Sequence, residues 1–324
     1  MNNPELSIII PIYNENAVLP ELLKRLYHTL EAVHLNYEII FVNDCSSDSS
    51  LQILKTAREK DKRIKILTFS RNFGHQTAIT AGLRFSSGDA VTILDGDLQD
   101  PPELIPKFIE KWKAGFEVVH AVRTRRNDPF LKQIVCKFYY RFLNLLSRTD
   151  FHLDSGDCCL MTRRVVNQLN AMPERNRYIR GLRSWLGFKQ SEIYYERDRR
   201  YAGKSKYNFL KLLKLGLDGI FSFSEVPLRI SIIAGFFVST ASLLYSSFII
   251  WDRLTPTENT LPGWTSIVAG MTFLGGVQLV VIGFLGEYII RIFDEVKGRP
   301  MYVLDETLGF KDEDTQTLRH YSSL

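Results

Sequence analysis

Asp89 to Glu103 reads DAVTILDGDLQDPPE. Its first half is a short run of apolar and β-branched residues, the pattern of a strand buried on both faces. Its second half changes chemistry at once. Asp95 and Asp97 stand two positions apart, Gln99 and Asp100 follow, and a pair of prolines closes the turn. Working outward, the strand signal recurs in LSIIIPIY, YEIIFVND and RIKILTF upstream and in FEVVHAV downstream. Between these runs, Ala17 to Val33, HQTAITAGLRF and PELIPKFIEKWKAG carry apolar residues at helical spacing. Such alternation predicts an open α/β architecture of Rossmann type. Ligands of such sheets bind beyond the carboxyl ends of the strands. Those ends carry Pro11, Tyr13, Asn14 and Glu15, then Asn43 and Asp44, then Ser70, Arg71 and Asn72, then the acidic turn.

No GxGxxG follows the first strand and no GxxxxGK[ST] occurs in the chain, which argues against a dinucleotide oxidoreductase or a P-loop enzyme. The acidic turn offers a different way to hold an anion. Two carboxylates and an amide oxygen at a strand end can gather hard oxygen ligands around Mg²⁺ or Mn²⁺, and that cation would neutralise a diphosphate.

The chain has 324 residues, 45% apolar and 24% charged, which excludes a disordered protein and a many-span transporter. Its 41 Lys and Arg against 36 Asp and Glu leave too mild an excess to predict a nucleic-acid partner. Cys45, Cys136, Cys158 and Cys159 form no CxxC, so reduced thiols are expected rather than a zinc site or disulfide scaffold.

Ile230 to Trp251 and Leu261 to Gly286 contain no charge, and each is long enough to cross a bilayer, so a two-span transmembrane hairpin is predicted over 227–291. Lys204, Lys206, Lys211, Lys214 and Arg229 precede it and Arg291, Lys297 and Arg299 follow, which places both outer ends in the cytoplasm. The N-terminus carries no basic leader, in keeping with a cytoplasmic catalytic domain over 1–206. Residues 207–226 read as an interfacial amphipathic helix, and Phe130 to Arg148 has a similar basic and apolar pattern. The tail, 292–324, opens with a strand-like MYVL that is offered to a second subunit, so a homo-oligomer is expected.

SIIIPIYNE, VNDCSSD, SRNFGHQTAITAG and LDGDLQDPPE, in this order and spacing, resemble the family 2 glycosyltransferases of GT-A fold. SGDCCLMTRR, the YAGKSKY turn and the predicted hairpin are similar to the polyisoprenyl-phosphate branch of that family. The resemblance implies a mixed, mainly parallel sheet and an inverting, membrane-bound transfer of a hexose from a nucleotide diphosphate sugar to polyprenyl phosphate. The hexose is taken as glucose from UDP, with mannose from GDP, or a non-catalytic nucleotide-sugar-binding membrane subunit, as alternatives. Carried over residue by residue, Pro11, Tyr13, Glu15 and Asp44 would line the nucleoside pocket, with Asp44 toward the base. Asp95 and Asp97 would make the DxD that meets the nucleotide sugar, and Arg200 and Lys206 would handle the donor's phosphates. Asp97 and Gln99 would ligate the metal, Arg123, Lys137 and Arg141 would meet the lipid phosphate, and Asp157 would be the catalytic carboxylate.

The chain departs from the family pattern twice. Cys45 stands where Gly is common, and Cys158 and Cys159 stand where Phe-Arg is common, so either activity is altered or a compensating group such as Arg163 or Arg164 is expected to replace the missing charge beside Asp157. The helical run after Asp157 leaves a helix-capping carboxylate as the competing reading. A fragment ending near Lys206 is expected to retain nucleotide-sugar binding without lipid glycosylation.

Overall fold

The computed structural model describes residues 4–123, 155–175, 177–196, 235–238, 240, 241, 244, 245, 251 and 263–310. Two compact units are present, one formed by 1–213 with 298–324 and the other by 214–297. In the first unit, β1 (Leu6–Ile12), β2 (Tyr37–Asn43), β3 (Ile64–Phe69) and β4 (Ala90–Ile93) are parallel neighbours in the order β4-β1-β2-β3. Their residues are almost all buried, because helices cover both faces, and this is why they read as largely apolar runs. The helices between them are α1 (Leu19–Glu31), α2 (Ser50–Lys60) and α3 (His75–Phe85). A 3-10 turn at Pro102–Leu104 leads into α4 (Ile105–Lys113).

The rest of the sheet is mixed. β5 (Val118–Arg123) is parallel to β7 (Gln190–Tyr195), and β6 (Ser155–Thr162) runs antiparallel between β4 and β5. α5 (Arg163–Ala171) and α6 (Ile179–Trp185) connect β6 to β7. The antiparallel register pairs Ile93 with Cys159, so the first residues of β6 emerge where β4 ends. Sequence spacing missed α2, β6 and β7. β6 begins with the polar Ser-Gly-Asp and β7 with Gln-Ser-Glu, which dilute the apolar signal of a strand.

The strand foreseen at MYVL, 301–304, is displaced: the tail strand is β8 (Leu304–Leu308), which shares only Leu304 with that stretch and pairs antiparallel with β3 of its own chain instead of being offered to a second subunit. It lies beyond the boundary drawn near Lys206, so a fragment ending there would lose the strand that covers the β3 edge.

The second unit contains α7 (Trp264–Val296), of which Phe273–Val296 is long and apolar enough to cross a membrane. It is the one such helix among the described residues, and its Phe273, Leu279, Ile289 and Phe293 are exposed. Most of the first foreseen span, the 207–226 helix and the 130–148 stretch lie outside the described residues.

Candidate active site

Five chain segments meet beyond the carboxyl ends of β1 to β4. β1 and β2 supply Asn14 and Asp44, the loop after β3 supplies Phe73 to Gln76, the turn after β4 supplies Asp95 to Asp100, and β6 brings Asp157 back from the opposite direction. Asp157 is buried, with 5% of its side chain exposed, and three side chains make four contacts with its carboxylate. Arg180 donates through Nε to Oδ1 at 2.7 Å and through Nη2 to Oδ2 at 2.8 Å, the two-pronged geometry a guanidinium favours. Gln76 Nε2 donates to Oδ2 at 3.2 Å, and His75 Nε2 lies at the same distance. Burial alone would raise the Asp157 pKa, but Arg180 first and His75 after it outweigh burial and hold it well below the usual carboxylate range.

His75 also stands 3.5 Å from Asp95 Oδ1. Burial would lower its pKa, yet the hydrogen bond to Asp157 and the charges of Asp95 and Asp157 raise it to about 9. Asp95 moves the opposite way for an acid. Burial, then the nearby charges of Asp100, Asp157 and Asp97, push it to about 7 despite the opposing charge of His75. The linkage for His75 follows from its raised value. Its imidazolium contributes stability below the unfolded value near about 6.5, and loses it as pH rises through the folded value of about 9. In chelator-treated protein, His75→Gln should therefore lower the thermal midpoint at mildly acidic pH, and the gap to the unchanged protein should close above the folded value. Tryptophan-fluorescence melts across that range measure it.

The acidic turn is built on a close approach. A Cβ on Gly96 would lie 2.5 Å from Ile12 Cδ1 and 2.9 Å from the Pro11 carbonyl oxygen, so only glycine lets the turn rest on β1. Asp97 Oδ1 accepts the Gln99 N–H at 3.1 Å, and Leu98 between them adopts a left-handed φ of 58°. Gly96→Ala should displace both aspartates and lower activity by roughly 10²-fold, the order of loss for an ångström of misplacement. A melting curve run beside the rate assay separates this from unfolding.

Asp44 is engaged by the chain itself. Its carboxylate accepts the Phe73 N–H at 2.7 Å and the Gly74 N–H at 2.9 Å, and burial raises its pKa more than these bonds lower it. Cys45 adopts a left-handed φ of 56°, so the conformation glycine would favour is kept with a cysteine in place.

Residues 7–169 match the model of the family described as Glycosyl transferase family 2. The chain belongs to that family. It is 43% identical over 317 residues to the uncharacterized glycosyltransferase YkcC of Bacillus subtilis, covering 98% of each. It is 41% identical over 304 residues to an SfII prophage-derived bactoprenol glucosyl transferase of Shigella flexneri, covering 94% of this chain and 98% of that one. A solved structure, mannosyl-3-phosphoglycerate synthase from Rubrobacter xylanophilus, is 13% identical with a TM-score of 0.45, covering 80% of this chain and 79% of that one.

In this family 2 glycosyltransferase, the foreseen Asp44, Asp95, Asp97, Gln99 and Asp157 gather at one end of the sheet. Pro11 is buried near the end of β1, with Tyr13 and Glu15 following it at the surface. Arg123 ends β5 opposite Tyr195 of β7. Lys137, Arg141, Arg200 and Lys206 lie outside the described residues. The helix-capping reading of Asp157 is corrected, since its carboxylate faces Arg180, His75 and Gln76 while α5 begins only at Arg163. Neither expected arginine replaces the missing charge. Arg163 binds the Gly88 carbonyl and Arg164 pairs with Glu117, so the guanidinium on Asp157 comes from Arg180. Sequence reasoning quoted HQ within a motif but assigned His75 and Gln76 no role, and nothing in the spacing announced Arg180.

The site's chemistry suits a divalent cation. Asp95 Oδ1 is buried without a hydrogen-bond partner, and the burial and neighbouring carboxylates that raise its pKa leave the site short of positive charge. Among the described residues no three His, Cys, Asp or Glu side chains form a ready-made cage. A Mg²⁺-type site needs only one or two carboxylates, the ion being shared with substrate phosphates and water.

Proposed function

We propose that the chain transfers glucose from UDP-glucose to the phosphate of a polyprenol at the cytoplasmic face of a membrane. The observation that carries this reading is the likeness, over nearly the whole of both chains, to proteins named bactoprenol glucosyl transferase. The apolar helix α7 supports membrane attachment, because a long polyprenol stays in the bilayer and its enzyme must work at that surface. The hairpin with both ends cytoplasmic, and the homo-oligomer, belong to the same proposal.

Asp97 and Gln99 would hold Mg²⁺ or Mn²⁺, whose charge would stabilise the departing diphosphate. Pro11, Tyr13 and Glu15 would flank the nucleoside. Asp44 would shape that pocket by fixing the loop after β3, and Asp95 would face the donor. Arg200 and Lys206 would add charge at the donor's phosphates, and Arg123, Lys137 and Arg141 would meet the acceptor phosphate. Arg180 holds Asp157 ionised, so the carboxylate can stabilise positive charge developing on the sugar as the leaving group departs.

The test is a panel of radiolabelled UDP-glucose and GDP-mannose with undecaprenyl and dolichyl phosphates on detergent-solubilised full-length protein. Labelled lipid from UDP-glucose, with UDP released, is expected. Label from GDP-mannose alone would move the assignment to a mannosyltransferase, and nucleotide-sugar binding without any lipid product would favour the non-catalytic subunit.

A further inference from the structure

The residues that follow α7 in sequence are built into the catalytic unit beside the donor loop. Tyr302, six positions after Val296, is 1% exposed and is among the largest fully buried side chains. Its ring stacks on Phe69, the last residue of β3, with centroids 5.2 Å apart and planes 20° from parallel. Phe69 in turn meets the ring of Phe73 edge-on at 5.6 Å and 83°. The main chain is tied at the same place. Ser70 N–H donates to the Val303 carbonyl at 3.0 Å, and the β3–β8 ladder shifts register between Thr68 and Phe69, where the loop departs.

That loop carries the groups that organise the site. Phe73 and Gly74 supply both amides that hold Asp44, and His75, the next residue, reaches Asp157 and Asp95. Gly74 has a φ of 97°, which an L side chain rarely adopts, so the amide pair depends on the backbone being held in one shape. Arg71 lies over the Phe73 ring, its guanidinium carbon 4.1 Å from the centroid. Stacked and edge-on aromatic contacts fix orientation as well as bury area. Removing the first ring of the series opens a cavity under Phe69, into which the start of the loop can relax.

We propose that Tyr302 is a positioning residue of the donor site, setting the loop 70–75 through Phe69 and Phe73. The inference rests on the reading of Asp44 and this loop as part of the donor pocket. It goes further in making the chain that emerges from the apolar helix a structural part of that pocket.

The experiment uses full-length protein in detergent carrying Tyr302→Ala, Tyr302→Leu or Tyr302→Phe. Hydrogen exchange is followed in the peptide containing Phe73 and Gly74 and, as a control, in the peptide covering β1. The KM values for UDP-glucose and for undecaprenyl phosphate are measured separately. Tyr302→Leu and Tyr302→Ala should speed exchange in the loop with β1 unchanged. They should also raise the donor KM by roughly 10-fold, the order of loss when a group supporting a ligand-holding residue is removed, and leave the acceptor KM in place. Tyr302→Phe, which keeps the ring, should restore both readouts. Unchanged loop exchange and donor KM in the leucine variant would overturn the proposal, as would faster exchange in the loop and β1 together. If the unchanged protein shows no turnover with UDP-glucose, the donor reading fails separately. Loop exchange then decides the positioning role alone.

Discussion

Asp157→Asn is expected to lower turnover at saturating lipid by roughly 10²–10⁴-fold at every accessible pH, while the acidic limb of the pH profile stays where it was. The expectation follows from what surrounds the carboxylate. Arg180 bonds both carboxylate oxygens, His75 and Gln76 crowd Oδ2 beside it, and the pKa is held well below the usual range. A group so stabilised as an anion is a poor proton acceptor near neutrality. The proposed acceptor has little need of one, because the second pKa of a phosphate monoester is near about 6 and the dianion already dominates. The limb therefore belongs to the acceptor, and the carboxylate acts through its charge and through the placement of Arg180 and His75. Asparagine removes the charge and leaves a partly buried guanidinium without its counterion. Rates measured across pH for both proteins decide the matter. A limb that moves or vanishes with the carboxylate would establish proton abstraction instead.

Asp97→Ala should abolish measurable transfer, and excess chelator should do the same to the unchanged protein. The reason is charge. Asp95, Asp97, Asp100 and Asp157 crowd one end of the sheet, and burial with these neighbours already pushes Asp95 to about 7. A donor diphosphate would add further negative charge to this site. Without a divalent cation the leaving group departs uncompensated, a loss of several kcal/mol of transition-state stabilisation, or roughly 10³-fold and more in rate. Turnover with and without chelator, followed by readdition of Mg²⁺ or Mn²⁺, measures it. Near-normal rates in excess chelator would remove the metal from the scheme.

The chain's own order of residues determined the parallel part of the sheet, β4-β1-β2-β3, and the end at which its chemistry sits. β1 to β4 are buried on both faces, so each is a largely apolar run, interrupted only by single residues such as Ser7, Glu38 and Lys65, whose strand character does not depend on its neighbours. α3 is legible to its ends, since HQTAITAGLRF spans His75–Phe85. Because parallel strands all finish at one edge, Asp44, Asp95 and Asp97 could be placed together before any contact was known. What only the tertiary structure decided depends on packing between distant segments. β6 hides its strand character because its polar first residues turn into the site, and its antiparallel register with β4 is what brings Asp157 to Asp95. Arg180 reaches Asp157 from a helix 23 residues further on, and the orientation of that helix is fixed by its burial against the sheet, which no local spacing encodes. Tyr302 lies in the strand-like MYVL stretch, which in sequence reads as an exposed edge. It becomes a core residue because β3 leaves an open edge and Phe69 an open ring face, and a returning strand satisfies the hydrogen bonds of the one while its tyrosine covers the other.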